Sequence, residues 1–528
     1  AADWPTYALA AATCQTCVMS VVRPRLHVQL IFTIAIAAAA TGAYAGPSSA
    51  AALNWQSCSK PQFDRWKKVD GWALPGFDCA PFTRPLDRRH PSGKQVKLAV
   101  VKLPANGTPA QRKGTLFMNP GGPGQTGVGL SEMVFLLPPE VRAAYDFVSY
   151  DPRGIGASTP ALSGRGCNIP KPTRPVTGSV DWSKVLAARQ KQVSDYNSLC
   201  FKANRALVEN GGSVDGAYDL DAMRAAVGDS KITYWGISYG TLLGSTYAQL
   251  FPNRVRGMVF DGNMDPQGTL YGISAGSVAP DHSIGFFLEA NGLRSKFNQV
   301  IAQLNKRTIP LAGNKRYTRW DLLDVLNDDV DFYPVTGDQS WAQSKQAVTY
   351  SWNALFGSNS EKAAARKALT APDLRSPTTG TAGSHWSAVV CQDYADRISN
   401  SRQQDRLRWI TKEGPIYGGS LGVDYLTTCN GYSGARPSPI PRPKRFGPPI
   451  AGIISNTTRD GETPYQWAVN MARTYPTMRA ITLVGGIHGT FGLSQSTCVD
   501  TPIANFLVTG SLPAVDLACP FSPPPTAP

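Results

Sequence analysis

Ser238 lies in the run Thr233-Tyr234-Trp235-Gly236-Ile237-Ser238-Tyr239-Gly240-Thr241, a G-x-S-x-G pattern. Lys231 to Trp235 is short, apolar and β-prone. Thr241 to Leu250 carries Leu242, Leu243, Tyr247 and Leu250 at helical spacing. The pattern therefore falls where a strand must become a helix in almost no residues. Such a turn forces its central residue into strained backbone and holds the hydroxyl out at the top of a sheet. It also sets that hydroxyl at a helix N-terminus, whose dipole favours developing negative charge. Gly236 and Gly240 let strand and helix approach closely. A serine hydroxyl is a weak nucleophile at neutral pH. It needs a histidine to take its proton and a carboxylate to orient that histidine.

In a strand-turn-helix architecture of this kind the chain order is serine, acid, histidine. Of the five histidines, His27 lies near the N-terminus, His90 precedes the serine, and His282 and His385 fall in a long helical stretch. His488 remains, in Gly485-Gly486-Ile487-His488-Gly489, directly after an expected strand Ile481 to Val484. The orienting acid should follow the preceding strand, Ile450 to Ser455. There Asp460 and Glu462 compete. Asp460 is preferred, because Glu462-Thr463-Pro464 reads as the first turn of the next helix, where an acid suits the helix dipole. After the expected strand Gly114 to Met118 comes Asn119-Pro120-Gly121-Gly122-Pro123-Gly124. No Gly-Lys-Ser/Thr follows, which argues against a phosphate loop. Exposed backbone N–H groups in such a turn suit an oxyanion hole instead.

The elements that must position these groups alternate. Strands are expected at Val96 to Leu103, Gly114 to Met118, Tyr145 to Tyr150 and Val255 to Phe260, and a helix at Ala217 to Val227. Alternation of this kind predicts an α/β fold: a mostly parallel sheet covered on both faces. Residues 46 to about 95 read as irregular. The alternation stops near Pro266, and about 180 residues rich in helical pattern and aromatic side chains follow, far longer than an ordinary crossover. The expected division is 1–45 as an upstream segment with a signal peptide, 46–266 as the first part of the core, 267–445 as an inserted helical cap and 446–528 as the second part of the core. Pro437 to Pro449 reads as the return linker.

The chain has 528 residues, 42% of them hydrophobic and 17% charged, with a net charge of +15. The basic residues are scattered, so a solvated basic surface is expected and no nucleic-acid partner. Arg23 and Arg25, the apolar run Val28 to Ala40 and Ala43-Tyr44-Ala45 form a signal peptide pattern from about Met19 to Ala45. The apolar run is too short for a comfortable membrane span. A secreted chain beginning near Gly46 is expected, without stable membrane association and acting as a monomer. Eight cysteines then remain, which in an exported chain read as disulfides. Of 105 possible connectivities, neighbour pairing (58–79, 167–200, 391–429, 498–519) is the simplest. No C-x-x-C occurs in that part of the chain and no metal site is expected.

The stretches NPGGPG at 119–124, YDPRGIGAS at 150–158, YWGISYGT at 234–241, RDGETP at 459–464 and GIHG at 486–489 together resemble the secreted tripeptidyl aminopeptidases. These belong to the α/β-hydrolase superfamily and stand close to the proline iminopeptidases. The likeness runs from about residue 95 to the C-terminus, whose Cys498 and Cys519 around Phe506 to Pro513 follow the TAP-like ending. Proline iminopeptidases carry a histidine before Gly-Gly-Pro-Gly, where this chain has Asn119-Pro120. The resemblance implies an α/β-hydrolase fold, no cofactor, Ser238 as nucleophile, Asp460 as orienting acid and His488 as base. The N–H groups of Gly122 and Tyr239 would form the oxyanion hole. It implies a serine exopeptidase releasing tripeptides or other short peptides from free N-termini through an acyl-enzyme. The same group includes carboxylesterases, so a secreted carboxylesterase using the same triad is the alternative. A non-catalytic binding protein is disfavoured, since nucleophile, acid and base are all present. An aminopeptidase must also hold the substrate ammonium on a carboxylate. Asp261, Asp265, Asp393 and Glu289 are available, with Asp393 and Asp261 the two candidates carried forward.

Overall fold

In a computed structural model, residues 53–70, 74–164, 166–331, 341–374, 383–432, 438–443 and 446–521 are described. The signal peptide expected at 19–45 lies outside them, as do parts of the 437–449 linker. The strands are β1 (Gln56–Ser57), β2 (Asp78–Pro85), β3 (Gln95–Leu103), β4 (Gly114–Asn119), β5 (Tyr145–Tyr150), β6 (Ile232–Ile237), β7 (Val255–Asp261), β8 (Ile309–Pro310), β9 (Arg316–Tyr317), β10 (Gly452–Thr457), β11 (Arg479–Leu483) and β12 (Leu517–Cys519). Ten of them form one sheet in the order β1-β2-β3-β5-β4-β6-β7-β10-β11-β12, and β8 pairs with β9 alone. Pairing is antiparallel from β1 through β3 to β5 and parallel from there on. This is the α/β-hydrolase fold.

β6 is buried along its whole length, as a central parallel strand covered on both faces must be. Its side chains alternate between two cores. Trp235 and Ile237 pack with Met118, Val259 and Ile453 on one face. Tyr234 and Ile232 pack with Phe117, Met258 and Ile454 on the other. Burying side chains of this size contributes about 1.5–3 kcal/mol each. The register sets the carboxyl ends of the parallel strands side by side. Asn119 pairs with Gly236, Ile237 with Asp261, and Asp261 with Ser455. The loops leaving these ends are those that carry the candidate chemistry, the usual place for a site in an α/β sheet.

Two expectations are corrected. Residues 46 to 95 are not all irregular: β2 runs antiparallel to β3 from Asp78↔Lys102 to Pro85↔Gln95. Pro81 and Pro85 disguise it, and proline is tolerated there because the two-residue β1 leaves most of the other edge of β2 unpaired. The helical layer is also not confined to 267–445. The 22-residue helix Trp182–Ala203 joins it. Arg189 pairs with Asp424 at 2.6 Å, and Asn197 donates to the carbonyls of Thr428 and Asn430. Residues Ser49–Pro528 group into one compact unit. Among the described residues no helix is long and apolar enough to cross a membrane.

The disulfides are Cys58–Cys79, Cys167–Cys200, Cys391–Cys429 and Cys498–Cys519, the neighbour pairing expected. Each closes a loop of 21 to 38 residues, for which a bridge typically adds about 2–4 kcal/mol. A denatured, unreduced chain starting at residue 46 should show no free thiol on titration. Reduction should lower its denaturant midpoint. Eight titratable thiols would show the pairing to be wrong.

Candidate active site

The elbow is built from close contacts. Ser238 has φ 56° and ψ −126°, outside the regions a side-chain-bearing residue normally occupies. Glycine neighbours make this turn possible. A Cβ at 236 would lie 2.5 Å from the Gly240 carbonyl oxygen, and one at 240 would lie 2.3 Å from that of Asn119. Hydrogen bonds lock the turn on both sides. The Ser238 N–H donates to the Asp261 carbonyl at 2.9 Å, and Thr241 Oγ1 donates to the Ser238 carbonyl at 2.6 Å. The helix expected from Thr241 starts at Tyr239, directly after the serine, and runs to Leu250.

The Asn119–Gly124 turn packs against this corner. Gly121 has φ 90°, and a Cβ on it would lie 2.6 Å from the Tyr239 nitrogen. Tyr239 is the first residue of its helix, so its N–H has no acceptor within the helix. Gly122 follows at φ 101°. The segment behind the turn is held by Asp151, whose carboxylate accepts from Val128 N at 2.9 Å and Ala157 N at 2.7 Å. Arg153 in turn forms a buried two-pronged pair with Asp219. The YDPRGIGAS stretch is thus a brace for the candidate oxyanion loop.

Asp460 and His488 meet on the far side of the elbow. His488 Nδ1 lies 2.9 Å and 3.1 Å from the two Asp460 carboxylate oxygens, with both side chains buried. Asp460 Oδ1 also accepts the N–H groups of Glu462 and Thr463 at 2.9 Å and 2.7 Å, which fixes the carboxylate. Of the two competing acids it is therefore Asp460 that meets the imidazole. The next helix starts only at Tyr465, with Pro464 as its cap, so Glu462 is not in its first turn as expected. Thr463 Oγ1 stands 3.4 Å from the same Nδ1. The imidazole lies over Gly262, where a Cβ would be 3.0 Å from Cε1. Gly262 follows the Asp261 whose carbonyl holds Ser238 N. Gly489 rests against the Ile237 side chain. Ser238 and His488 are thus brought to one corner of the sheet.

The carboxylates nominated for a substrate ammonium are differently engaged. Asp261 is fully buried. It accepts Thr490 Oγ1 at 2.8 Å, Thr490 N at 3.0 Å and Phe491 N at 2.9 Å. It anchors the loop of His488 and is not open to a ligand. Burial pushes its pKa up, against those hydrogen bonds. Asp393, also fully buried, accepts Ser213 N at 2.7 Å, Ser213 Oγ at 2.6 Å and the Tyr239 hydroxyl at 2.9 Å. Burial pushes its pKa up to about 7. Asp265 is bound by Gln267 N and Asn470, and Glu289 pairs with Arg459 and Arg294 at the surface. Sequence reasoning missed the bracing role of Asp261 and the place of Thr463. In the first case the partners lie 229 residues away, which no local pattern reveals.

The chain matches the α/β hydrolase fold family over residues 114–299 and the TAP-like protein family over residues 415–519. It is 28% identical over 513 residues to the serine protease Hip1 of Mycobacterium tuberculosis, covering 90% of this chain and 92% of that protein. It is 28% identical over 509 residues to the tripeptidyl aminopeptidase of Streptomyces lividans, covering 90% and 88%. It is 29% identical over 513 residues to carboxylesterase B of Mycobacterium tuberculosis, covering 90% and 91%.

The Asp393 environment makes stability depend on pH. An unfolded aspartate titrates near pH ~4, so the native chain keeps a proton that the unfolded chain gives up. Its contribution is complete below about pH 4 and is lost as pH rises through about 7. Urea unfolding across that range should show the wild type losing stability relative to Asp393→Asn as pH rises. Parallel curves would mean that this carboxyl titrates normally.

Proposed function

We propose that this chain, a serine hydrolase that belongs to the α/β-hydrolases and carries a TAP-like C-terminal region, releases tripeptides or other short peptides from free N-termini. The observation that carries the reading is the buried His488–Asp460 pair at 2.9 Å, beside a serine held at φ 56°. In this reading Ser238 Oγ attacks the scissile carbonyl carbon while His488 Nε2 takes its proton. Asp460 occupies Nδ1, which fixes the tautomer and stabilises the imidazolium as it forms. The oxyanion is met by the N–H groups of Tyr239 and Gly122. His488 then gives its proton to the leaving amine, and the C–N bond breaks to leave an acyl-enzyme. Water, deprotonated by His488, hydrolyses the ester and restores Ser238.

The helical layer supports exopeptidase over endopeptidase chemistry. The helix Gly383–Asp393 covers the Gly-rich turn so closely that a Cβ at Gly124 would be 2.7 Å from the His385 Cβ. A roofed site admits a chain end more easily than the middle of a folded chain. Four disulfides support the proposal of export, with a signal peptide at Met19 to Ala45. The likeness to a carboxylesterase keeps ester hydrolysis by the same triad as the second reading.

Ser238→Ala and His488→Ala should each remove nearly all turnover, since triad members act as a unit. Asp460→Asn should lower kcat on the order of 10⁴-fold. Activity within about tenfold of wild type in any of the three would refute the assignment. Tripeptidyl amides assayed beside short acyl esters decide the substrate class. Turnover of esters alone would sink the peptidase reading.

A further inference from the structure

Most buried or half-buried acids of this fold are satisfied by the chain itself; among the described residues the Glu462 carboxylate is not. Asp281 accepts three backbone N–H groups, from Ile416, Tyr417 and Gly418. Asp324 is paired with Arg174, and Asp424 with Arg189. Asp261, Asp265 and Asp393 are satisfied as described above. The Glu462 backbone N–H is tied to Asp460, but among the described residues no hydrogen bond or ion pair reaches its carboxylate. It is half-buried, and burial pushes its pKa up to about 7, the nearby charge of His488 opposing that rise. A half-buried carboxylate that no donor of the chain meets, yet that solvent still reaches, is free to accept one from a ligand. The site has room in its chemistry for a cation that the chain itself does not supply.

The surroundings fit a cation. Burial raises the pKa of the Tyr425 phenol, and the nearby charge of Glu462 adds to that rise. A Cβ on Gly276 would touch both, at 3.2 Å from the Tyr425 hydroxyl and 3.5 Å from the Glu462 carbonyl. The Tyr425 ring stands edge-on to Trp386 at 5.2 Å, and Trp386 to Tyr239 at 6.1 Å. A row of three aromatic rings therefore leads from Tyr239, the residue after Ser238, to the backbone of Glu462. Trp386, Tyr425 and Glu462 are all partly open to solvent. Aromatic faces with a carboxylate at their end are a recognised way of holding an ammonium group.

We propose that Glu462 receives the terminal ammonium of the substrate, with Tyr425 and Trp386 as the walls of that subsite. The proposal rests on the exopeptidase reading and names the group that recognises the free N-terminus. Because Glu462 sits two residues after Asp460, the anchor and the orienting acid belong to one short turn. The distance from the substrate's N-terminus to its scissile bond is thereby set by a rigid piece of backbone.

The test uses matched substrates, free and N-acetylated, prepared both as tripeptidyl anilides and as tripeptidyl esters. Wild type should prefer the free form by ~100-fold or more in kcat/KM, as expected where a polar site is left unpaired by the wrong ligand. Glu462→Gln and Glu462→Ala should each bring that preference to within about tenfold by losing the free substrate alone. The rate of Ser238 labelling by an alkyl fluorophosphonate, which carries no ammonium, should fall far less than turnover of the free substrate in both variants. Equal losses on free and blocked substrates, or labelling slowed as much as free-substrate turnover, would overturn the proposal by making Glu462 an electrostatic partner of His488 or a structural group. A preference that persists in both variants would overturn it too, while leaving the exopeptidase reading standing. A Glu462-dependent preference seen on esters, with anilides untouched, would leave the ammonium site standing and remove the peptidase reading.

Discussion

The rest of the site depends on a steric constraint at Ser238. A non-glycine residue at φ 56° and ψ −126° stores strain of about 1–3 kcal/mol. It persists because the surroundings leave no relaxed alternative. Positions 121, 236 and 240 all lack a side chain, and a Cβ at any of them would fall 2.3 to 2.5 Å from a backbone oxygen. Three segments, the β4 turn from far away in the sequence, the end of β6 and the start of the next helix, therefore occupy one tight volume. Relaxing the serine would mean moving all three. The candidate oxyanion donors lie where they do because the turn that carries Gly122 can approach Tyr239 only through Gly121.

The second half of the site is tied to the first through Asp261. Its backbone carbonyl holds the N–H of Ser238, and its carboxylate holds two N–H groups and a hydroxyl of the segment after His488. One residue thus fixes serine and histidine from opposite ends of its own structure. Burying a carboxylate is unfavourable unless donors replace its water. Here the donors come from the loop that must be immobile for the imidazole to be aimed. Asp460 follows the same logic, holding Glu462 N, Thr463 N and His488 Nδ1 together.

Much of this was legible in the sequence, for reasons that differ by element. The elbow was legible because few residue types permit strand to become helix so abruptly. The pairing of His488 with Asp460 followed from chain order and from the scarcity of histidine. Apart from β12, where no strand was expected, the parallel strands were read from apolar runs, with ends displaced by two residues at most. β2 was missed because prolines at 81 and 85 break the pattern that a strand usually shows. The helix Trp182–Ala203 was missed as part of the roof because nothing in its own residues says what it packs against. The carboxylates were the least legible. Asp393 and Asp261 were nominated for a ligand, yet their donors arrive from 180 and 229 residues away. Composition shows that an acid is present; only folding shows whether the chain itself has already satisfied it.

The disulfides carry a consequence for how such a chain is made. The cysteines beyond residue 46 are bonded as successive neighbouring pairs, 58–79, 167–200, 391–429 and 498–519. A polypeptide emerging N-terminus first presents every thiol together with its proper mate before the following pair appears. An oxidant that joins thiols in order of arrival therefore produces the native set without reshuffling. Correct connectivity is written as timing, and it is complete only when Cys519 has emerged.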